Sequence, residues 1–372
     1  MPLPPPASLG IPLEEIDTPA LILDLDALER NIARMAEAVN GRAVRLRPHA
    51  KSHKSAEIAK RQIAAGAVGI CCQKVSEAQA LVAGGVADVL ITNEIVGKQK
   101  IARLARLTRE AKVAVLADDA GNVGDLDSAA RAEGVRLDVL VELNVGADRC
   151  GVEPGEQAFA LAARIAACRN LRFAGLHAYH GSAQHLREAG ERRAAIAAAT
   201  EKTRITRLLI EKAGLTCETI TGAGTGTFLL ESASRVFNEI QPGSYVFMDA
   251  DYNRNSWEEG WPRFEQSLFV LATVMSVPAV GRAVVDAGLK ASSVDSGMPL
   301  VHERPGVEYV KASDEHGVLK IAAGATAPKL GEKLLLVPGH CDPTVNLYDW
   351  FVGVRKGRVE ALWPVSARGA LF

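Results

Sequence analysis

Lys51 stands where an amine could act as a nucleophile. It follows an apolar, strand-like stretch at 43–46 and precedes a helical stretch at 55–65, between two histidines and near a second lysine in the run RPHAKSHK. Neighbouring cations disfavour the charged ammonium, and an uncharged amine can attack a carbonyl carbon. For a single lysine, a basic turn exposed to solvent is the alternative.

Two glycine-rich segments further along the chain could hold a phosphate group. They are Gly222–Gly226, which contains Gly224 and Thr225, and the pair Gly243-Ser244. Backbone N–H groups of such loops, together with the Thr225 hydroxyl, can bind phosphate without a charged side chain. An amine facing a phosphate site suggests pyridoxal 5'-phosphate held as a Schiff base. Schiff-base aldolases that act on sugar phosphates fit the same residues, and a plain glycine turn is the alternative.

The segment PGHCDPT at 338–344 could bind a metal. On an extended strand residues i and i+2 project from the same face, so we expect His340 and Asp342 to converge and Cys341 to point away. One imidazole and one carboxylate suit a hydrated Mn²⁺ or Mg²⁺ ion better than structural zinc, which takes four nitrogen or sulfur ligands. A purely structural pair is the alternative, while Pro343, expected to end the strand, and the nearby segment 314–316 favour the metal.

Short apolar runs that alternate with Ala-, Arg- and Glu-rich helical segments would position these groups. Such alternation predicts parallel strands joined by right-handed helical crossovers. The eight runs are 43–46, 68–71, 89–92, 113–116, 137–143, 171–176, 218–221 and 236–240. Eight strands close a (β/α)8 TIM-type barrel. An open doubly wound sheet is the alternative, but the Gly-x-Gly-x-x-Gly sequence expected after its first strand is missing.

In such barrels catalytic groups lie at the carboxyl ends of the strands, and the polar residues of this chain follow that rule. Those that come directly after a predicted strand are Lys51, Gln73, Lys74, Asn93, Glu94, Asn144, Arg149, Tyr179, His180, His185, Gly222–Gly226 and Gly243–Tyr245. The phosphate site of many barrels lies after strands seven and eight, where both glycine segments fall.

Beyond residue 250 the sequence changes to short β-rich pieces separated by Gly, Pro and Asp. We expect an N-terminal arm at 1–17, a cofactor-binding barrel at 18–250 and an all-β domain with the metal site at 251–372. The early strand 20–24 is not needed for the barrel and can pair with the β domain.

Composition restricts the partners. The 372 residues carry a net charge of −1, with acids and bases interspersed, so nothing favours a nucleic acid or an anionic membrane. No apolar run reaches the ~18 residues that span a bilayer. The six cysteines show no disulfide spacing and the N-terminus lacks the layout of an export signal, which favours a cytoplasmic protein.

These motifs together resemble the D-threonine aldolase family. The resemblance extends from residue 18 onward and is carried by RPHAK at 47–51, CQKVSEA at 72–78, RCGV at 149–152, AYHG at 178–181, GAGTG at 222–226, GSY at 243–245 and HCDPT at 340–344. It implies a fold-type III pyridoxal-phosphate enzyme with an alanine-racemase-like barrel and a C-terminal β domain. Such enzymes usually build each active site from two subunits, so a homodimer is expected.

The resemblance also implies a reaction and a role for each site residue. The enzyme would be a carbon–carbon lyase that uses a divalent metal to cleave D-β-hydroxy-α-amino acids, of the D-threonine or D-allo-threonine type, to glycine and an aldehyde. Lys51 would hold the cofactor covalently, and His185 would lie near the reacting hydroxyl. Cofactor contacts are implied for Gln73, Arg149 (at the pyridine nitrogen), Tyr179 (beside the ring), Gly224, Thr225, Gly243, Ser244 and Tyr252, and metal ligation for His340 and Asp342.

Related activities remain open. D-3-hydroxyaspartate aldolases have nearly the same motifs and release glyoxylate with the glycine. D-serine dehydratases resemble the chain too, but they typically carry His-x-Cys at the metal, where this chain has Asp342. A non-catalytic pyridoxal-phosphate carrier would be a bare barrel, and the second catalytic tyrosine expected of an alanine racemase is not identifiable.

Overall fold

The computed structural model describes residues 4–372. Its strands are β1 (Ala20–Asp24), β2 (Arg45–Leu46), β3 (Ile70–Cys72), β4 (Asp88–Glu94), β5 (Lys112–Ala117), β6 (Leu137–Glu142), β7 (Leu171–Ala178), β8 (Thr219–Gly222), β9 (Glu239–Ile240), β10 (Leu268–Ala279), β11 (Arg282–Val285), β12 (Leu300–Val301), β13 (Val307–Ala312), β14 (Gly317–Ile321), β15 (Lys333–Val337), β16 (Trp350–Arg355) and β17 (Arg358–Pro364). The helices are α1 (Leu25–Val39), α2 (Ala56–Ala64), α3 (Val75–Ala83), α4 (Lys98–Leu107), α5 (Ala120–Glu133), α6 (Glu156–Ala166), α7 (Ala189–Lys212), α8 (Phe228–Ala233) and α9 (Cys341–Val345).

Strands β2–β9 form the predicted parallel barrel. Each pairs in parallel with its neighbour in the order β3-β4-β5-β6-β7-β8-β9-β2. The Val68 N–H donates to the Leu46 carbonyl at 2.9 Å, and the Cys71 N–H donates to the Pro48 carbonyl at 2.8 Å. These bonds join β2 to β3 and close the ring. The barrel fold is therefore confirmed, and the open doubly wound sheet is wrong.

The eighth barrel strand is shorter than predicted because a side chain replaces part of its ladder. The Asn238 amide accepts from the Ile220 N–H at 2.9 Å and donates to the Glu218 carbonyl at 2.9 Å. Regular pairing with β8 consequently starts only at Glu239, where the sequence predicted a strand from residue 236.

Ion pairs fill the amino-terminal end of the barrel, opposite the predicted active-site end. Arg47 lies between Asp88 at 2.6 Å and Glu239 at 3.0 Å, and Arg172 contacts Asp138 at 2.5 Å. Charged residues in the barrel interior need such partners because an unpaired buried charge is costly. This end of the barrel therefore serves stability.

The second sheet is mostly antiparallel and includes the first strand of the chain. Its order is β13-β14-β11-β10-β1-β16-β17, with β15 paired to β10 and β12. Strand β1 is antiparallel to β10 and parallel to β16, so Leu21 lies opposite both Val270 and Phe351. The N-terminal arm follows it: Gly10 N–H donates to Val359 O at 2.8 Å. Chain ends that are far apart in sequence therefore share one sheet.

Candidate active site

A cavity of about 370 Å³ lies at the carboxyl ends of the barrel strands, where α9 of the second sheet region covers them. Its volume is in the range of small-molecule sites. Every residue to which the family resemblance gives a role lines it: Lys51, Gln73, Arg149, Tyr179, His185, Gly224, Thr225, Gly243, Ser244, Tyr252, His340 and Asp342. The strand-end residues Lys74, Asn93, Glu94, Asn144 and His180 do not line it. The cavity also contains His49, Thr92, His177 and Gln241, which the sequence did not single out.

Lys51 lies in the short 3-10 turn Ala50–Ser52 directly after β2. Its Nζ lies 2.7 Å from Oδ2 of Asp342, which belongs to the other sheet region. The Asp342 carboxylate raises the pKa of the Lys51 ammonium above its usual range, although burial opposes that change. The expectation that neighbouring cations would lower the pKa of Lys51 is therefore wrong for this arrangement.

The basic neighbours of Lys51 add no net positive charge around it. Burial lowers the pKa of His53 to about 4 and also holds the pKa of His49 well below its usual value. The Lys54 ammonium forms an ion pair with Glu77 at 2.8 Å. The motif around Lys51 thus consists of two neutral rings and a neutralised lysine.

Hydrogen bonds fix the tautomer of His49 beneath Lys51. Its Nδ1 accepts from the Lys51 backbone N–H at 3.2 Å. Its Nε2 therefore carries the proton and donates to Thr92 Oγ1 at 2.9 Å, while the Thr92 hydroxyl donates to the Cys72 carbonyl. Gln73 also donates to Thr92 Oγ1, at 3.0 Å. His49 consequently ties the Lys51 turn to the Gln73 side of the cavity.

The two glycine segments come together on the opposite wall and leave one hydroxyl ready to donate. Thr225 Oγ1 accepts from the Tyr245 N–H at 3.0 Å, so its own hydrogen can be donated to a ligand in the cavity. A Cβ at position 243 would lie 2.9 Å from the His49 carbonyl oxygen, so only Gly243 fits there. Ser244 begins another 3-10 turn. This wall offers hydroxyl and backbone donors, as a phosphate requires.

His185 is held by a carboxylate that the sequence analysis missed. Its Nδ1 lies 2.7 Å from Asp251 Oδ2, while the other Asp251 oxygen contacts Arg187 and Arg254, each at 2.5 Å. Burial raises the pKa of Asp251, but hydrogen bonds from Arg187 and His185 outweigh burial and lower it. With the Nδ1 proton directed at Asp251, Nε2 of the neutral ring can accept a proton. One feature of the sequence indicated this carboxylate: Asp251 is the second aspartate after the last barrel strand.

His340 and Asp342 do converge, but on a helix start and not on a strand. Strand β15 ends at Val337, His340 is the extended residue before α9, and Asp342 lies in the first turn of that helix. The extended-strand geometry was wrong because Pro343 is tolerated in the first turn of a helix and does not merely end a strand. His340 Nε2 lies 3.9 Å from Asp342 Oδ2.

A further carboxylate orients His340. Asp295 Oδ2 lies 2.8 Å from His340 Nδ1, which leaves Nε2 directed toward Asp342. Metal-binding histidines commonly donate their second ring N–H to a carboxylate in this way. Segment 314–316 plays no comparable part, since Glu315 pairs with Lys290 at 2.6 Å and none of the segment lines the cavity.

A different group of metal-ligating atoms lies outside the cavity lining. Glu94, Asp118 and Cys150 each place one ligand atom within 4.8 Å of the others. Burial first, and then Glu94, raises the pKa of the Cys150 thiol to about 11, so the thiol is protonated near neutral pH. A bound metal would displace that proton, but the His340–Asp342 pair contains no sulfur ligand and suits an oxygen-preferring ion better.

The remaining cofactor candidates surround the same space. The Arg149 guanidinium is exposed and lies 6.0 Å from the centre of the Tyr179 ring. Tyr252 is buried beside His185, with ring centres 6.3 Å apart, and its N–H donates to Asp249 at 2.9 Å. Glu77 accepts the Gln73 N–H at 2.7 Å. Arg149, Tyr179, Tyr252 and Gln73 therefore all lie around one cavity.

Comparison with known proteins explains the arrangement. The model for the alanine racemase N-terminal domain matches residues 23–251, and a model for a serine dehydratase domain matches residues 267–354. A D-threonine aldolase of Arthrobacter is 49% identical over 99% of this chain and 97% of its own length. The chain belongs to the D-threonine aldolase family. The family predicted from the sequence motifs is thereby confirmed.

Two more relatives of this family member show how far the likeness extends. A 3-hydroxy-D-aspartate aldolase of Paracoccus denitrificans is also 49% identical, over 98% of this chain and 95% of that protein. The crystal structure of D-threonine aldolase from Filomicrobium marinum superposes with a TM-score of 0.97 at 54% identity, covering 99% of this chain and all of that one. Among residues 4–372, no helix is both long and apolar enough to span a membrane.

Proposed function

We propose that this protein is an aldolase that cleaves D-β-hydroxy-α-amino acids between Cα and Cβ to give glycine and an aldehyde. One observation carries the proposal: the Lys51 amine, the His185 imidazole and the His340–Asp342 pair line a single cavity. Two relatives that are each 49% identical are named as aldolases. We also propose that the protein works as a cytoplasmic homodimer.

The residues present fit pyridoxal 5'-phosphate. The cavity offers an amine on one wall, and glycines with the Thr225 hydroxyl on the other, where a side chain at position 243 would collide with the backbone. Pyridoxal phosphate would supply an electron sink for the electron pair left on Cα when the Cα–Cβ bond breaks. Lys51 would bind its aldehyde carbon, and Thr225, Gly224, Gly243 and Ser244 its phosphate.

Other side chains would orient the cofactor. We assign Arg149 to the pyridine nitrogen, Tyr179 to the ring, and Gln73 and Tyr252 to its polar edge. Because an arginine keeps its proton, Arg149 would leave the pyridine nitrogen unprotonated and the electron sink weak. The reaction would then depend more strongly on deprotonation of the substrate β-hydroxyl.

The residues near His340 fit a divalent metal. Its Nε2 faces Asp342, and Asp295 fixes its ring as is common for metal-binding histidines, while the Asp342 carboxylate is a ligand that Mn²⁺ and Mg²⁺ prefer. Such an ion would lower the pKa of a hydroxyl bound to it. His185, oriented by Asp251, would accept the β-hydroxyl proton at Nε2.

Asp342 cannot hold both the Lys51 ammonium and a metal with the same oxygen. The 2.7 Å contact between Lys51 and Asp342 places the amine beside the proposed metal ligand. With a metal at Asp342, the Lys51 side chain would lose this contact and would be held through the cofactor instead.

A second substrate stays a candidate because the Paracoccus relative is as similar as the Arthrobacter one. D-3-hydroxyaspartate would give glycine and glyoxylate by the same steps. Dehydration of D-serine is less favoured because Asp342, an oxygen ligand, stands where a cysteine would suit zinc. Rates with D-threonine, D-3-hydroxyaspartate and D-serine, measured side by side, distinguish the three.

The test of this proposal is glycine release from D- and L-β-hydroxy amino acids with and without Mn²⁺. We expect turnover of D-substrates only, and loss of turnover with a chelator. The purified protein should show a cofactor absorbance band that borohydride removes and that Lys51→Ala lacks. Lys290→Ala, which changes an exposed lysine paired with Glu315, is the matched control and should retain both. Binding of cofactor without turnover of any member of the panel would instead indicate a carrier.

A further inference from the structure

Gln184 is a buried residue that does not line the cavity itself, and the proposed function has no role for it. It lies in the 3-10 turn Ser182–His185, directly before His185, and is 1% exposed. Its Oε1 accepts from the Gly226 N–H at 2.9 Å, and its Nε2 donates to Thr227 Oγ1 at 2.9 Å. Because a backbone N–H can only donate, the orientation of this amide is fixed.

The glycine loop is shaped to fit this side chain. A Cβ at position 224 would lie 2.4 Å from Gln184 Oε1, and one at position 226 would lie 3.1 Å from it. Gly224 therefore leaves room for the Gln184 amide in this position, and a Cβ at position 226 would be in tight contact with it. Thr227 Oγ1 donates its hydrogen to Glu231 Oε1 at 2.8 Å, so it can accept from Gln184. The conformation of the loop thus depends on both ends of one amide.

The backbone of the same residue is tied to the support of His185. The Gln184 carbonyl accepts from Asn255 Nδ2 at 2.9 Å, and Asn255 Oδ1 accepts from Arg187 at 2.7 Å. Arg187 and His185 each bond to Asp251, at 2.5 and 2.7 Å. A continuous set of hydrogen bonds therefore joins the loop to the imidazole.

We propose that Gln184 is a positioning residue that couples the phosphate-binding loop to His185. The proposal rests on the proposed function, in which the loop holds the cofactor phosphate. A phosphate bound by the loop restrains Gly226, Gly226 restrains the Gln184 amide, and that amide restrains the turn that ends in His185. Phosphate binding thereby contributes to the geometry of a remote proton transfer.

The first test compares the affinities of the apoprotein for pyridoxal 5'-phosphate and for pyridoxal, which lacks the phosphate, from absorbance titrations. Gln184→Met keeps the chain length but loses both hydrogen bonds. We expect its affinity for pyridoxal phosphate to fall about 10- to 100-fold and its affinity for pyridoxal to change less than about threefold. Asn122→Leu is the control, since it removes another buried amide bond, to the Ile95 carbonyl at 2.9 Å, and should leave both affinities unchanged.

The second test measures the coupling itself. The quantity compared is the ratio of kcat for D-threonine with pyridoxal phosphate to kcat with pyridoxal. This ratio should exceed one in the wild type and should be at least about threefold smaller in Gln184→Met. Gln184→Asn shortens the uncharged amide by one methylene, so it cannot keep both hydrogen bonds and its affinity should be intermediate; it is the second variant if Gln184→Met does not fold.

The outcomes separate the two proposals. A wild type that binds pyridoxal phosphate, together with variants that keep its preference over pyridoxal and its kcat ratio, would overturn the role of Gln184 and leave the proposed function standing. A folded wild type that binds neither compound would overturn both.

Discussion

Replacing Asp251 by asparagine should remove the base without removing the imidazole. In the wild type, one Asp251 oxygen binds Arg187 and Arg254 at 2.5 Å and the other lies 2.7 Å from His185 Nδ1. Arginine can only donate, so the oxygen of the new amide would stay with the arginines and its NH₂ group would face Nδ1. Nδ1 would then have to accept, and the ring proton would move to Nε2. Nε2, the nitrogen proposed to accept the substrate proton, could then no longer take one.

The size of the effect follows from what a general base contributes. Such a base accelerates a reaction about 10²- to 10⁴-fold, so kcat of Asp251→Asn should fall by that factor, which corresponds to about 3–5 kcal/mol in the activation free energy. The assay is initial glycine release from D-threonine at saturating cofactor and Mn²⁺. His185→Gln should lose as much, and the double variant little more, because the two residues act as one unit. A kcat of Asp251→Asn within about threefold of the wild type, or a double variant whose losses multiply, would refute the reasoning.

Three other changes test separate parts of the account. Asp295→Asn should weaken Mn²⁺ binding about 10- to 100-fold in a metal titration, because His340 loses the carboxylate that orients it, whereas Asp314→Asn should not. Burial raises the pKa of Glu231 to about 7, whereas the carboxyl of the unfolded chain has a pKa near 4.5. Between these two pKa values the folded protein holds a proton that the unfolded chain has released, so stability is lost as the pH rises from about 4.5 to about 7. Glu231→Gln should therefore raise the free energy of unfolding by up to about 3 kcal/mol at pH 8 but not below pH 4.5. Arg172→Met should lower the free energy of unfolding by about 1–2 kcal/mol in denaturant, less at high salt, with unchanged kcat, because it leaves Asp138 and Glu218 unpaired far from the cavity.

Each of these changes has an outcome that would contradict it. Equal metal titrations for Asp295→Asn and Asp314→Asn would remove Asp295 from the metal site. Parallel pH profiles for the wild type and Glu231→Gln would show that this carboxyl is not protonated in the fold. A loss of kcat in Arg172→Met would mean that the amino-terminal end of the barrel affects the reaction.

The barrel could be predicted from the sequence because its signals are local. Apolar runs that alternate with helical segments specify parallel strands, and the rule that polar residues follow strand ends brought Lys51, Tyr179 and Thr225 to one cavity. The exact strand limits could not be predicted in the same way. At β9 the Asn238 side chain replaces part of the backbone hydrogen-bond ladder by accepting from the Ile220 N–H. Ile220 lies on the neighbouring strand, and the sequence around Asn238 does not reveal it.

Several contacts within the site escaped prediction because the two partners are distant in sequence. Asp342 contacts Lys51 across 291 positions, and Asp295 contacts His340 across 45. The RPHAKSHK run alone predicts positively charged neighbours around Lys51. In the fold, burial lowers the pKa of His53, and the Asp342 carboxylate from the other sheet region raises the pKa of the Lys51 amine. The sequence predicted an extended strand at His340 and Asp342, whereas a short helix begins there. A proline is compatible with both, since it can end a strand or lie in the first turn of a helix.

The central claim is that the barrel amine and the metal pair of the second sheet region act on one substrate. Crystals of the protein with pyridoxal phosphate, soaked in Mn²⁺, test it most directly through anomalous diffraction at the manganese edge. We expect continuous density from Lys51 to the cofactor and a manganese peak within coordination distance of His340 Nε2 and Asp342. Manganese bound instead at Glu94, Asp118 and Cys150, or a cofactor away from Lys51, would contradict it.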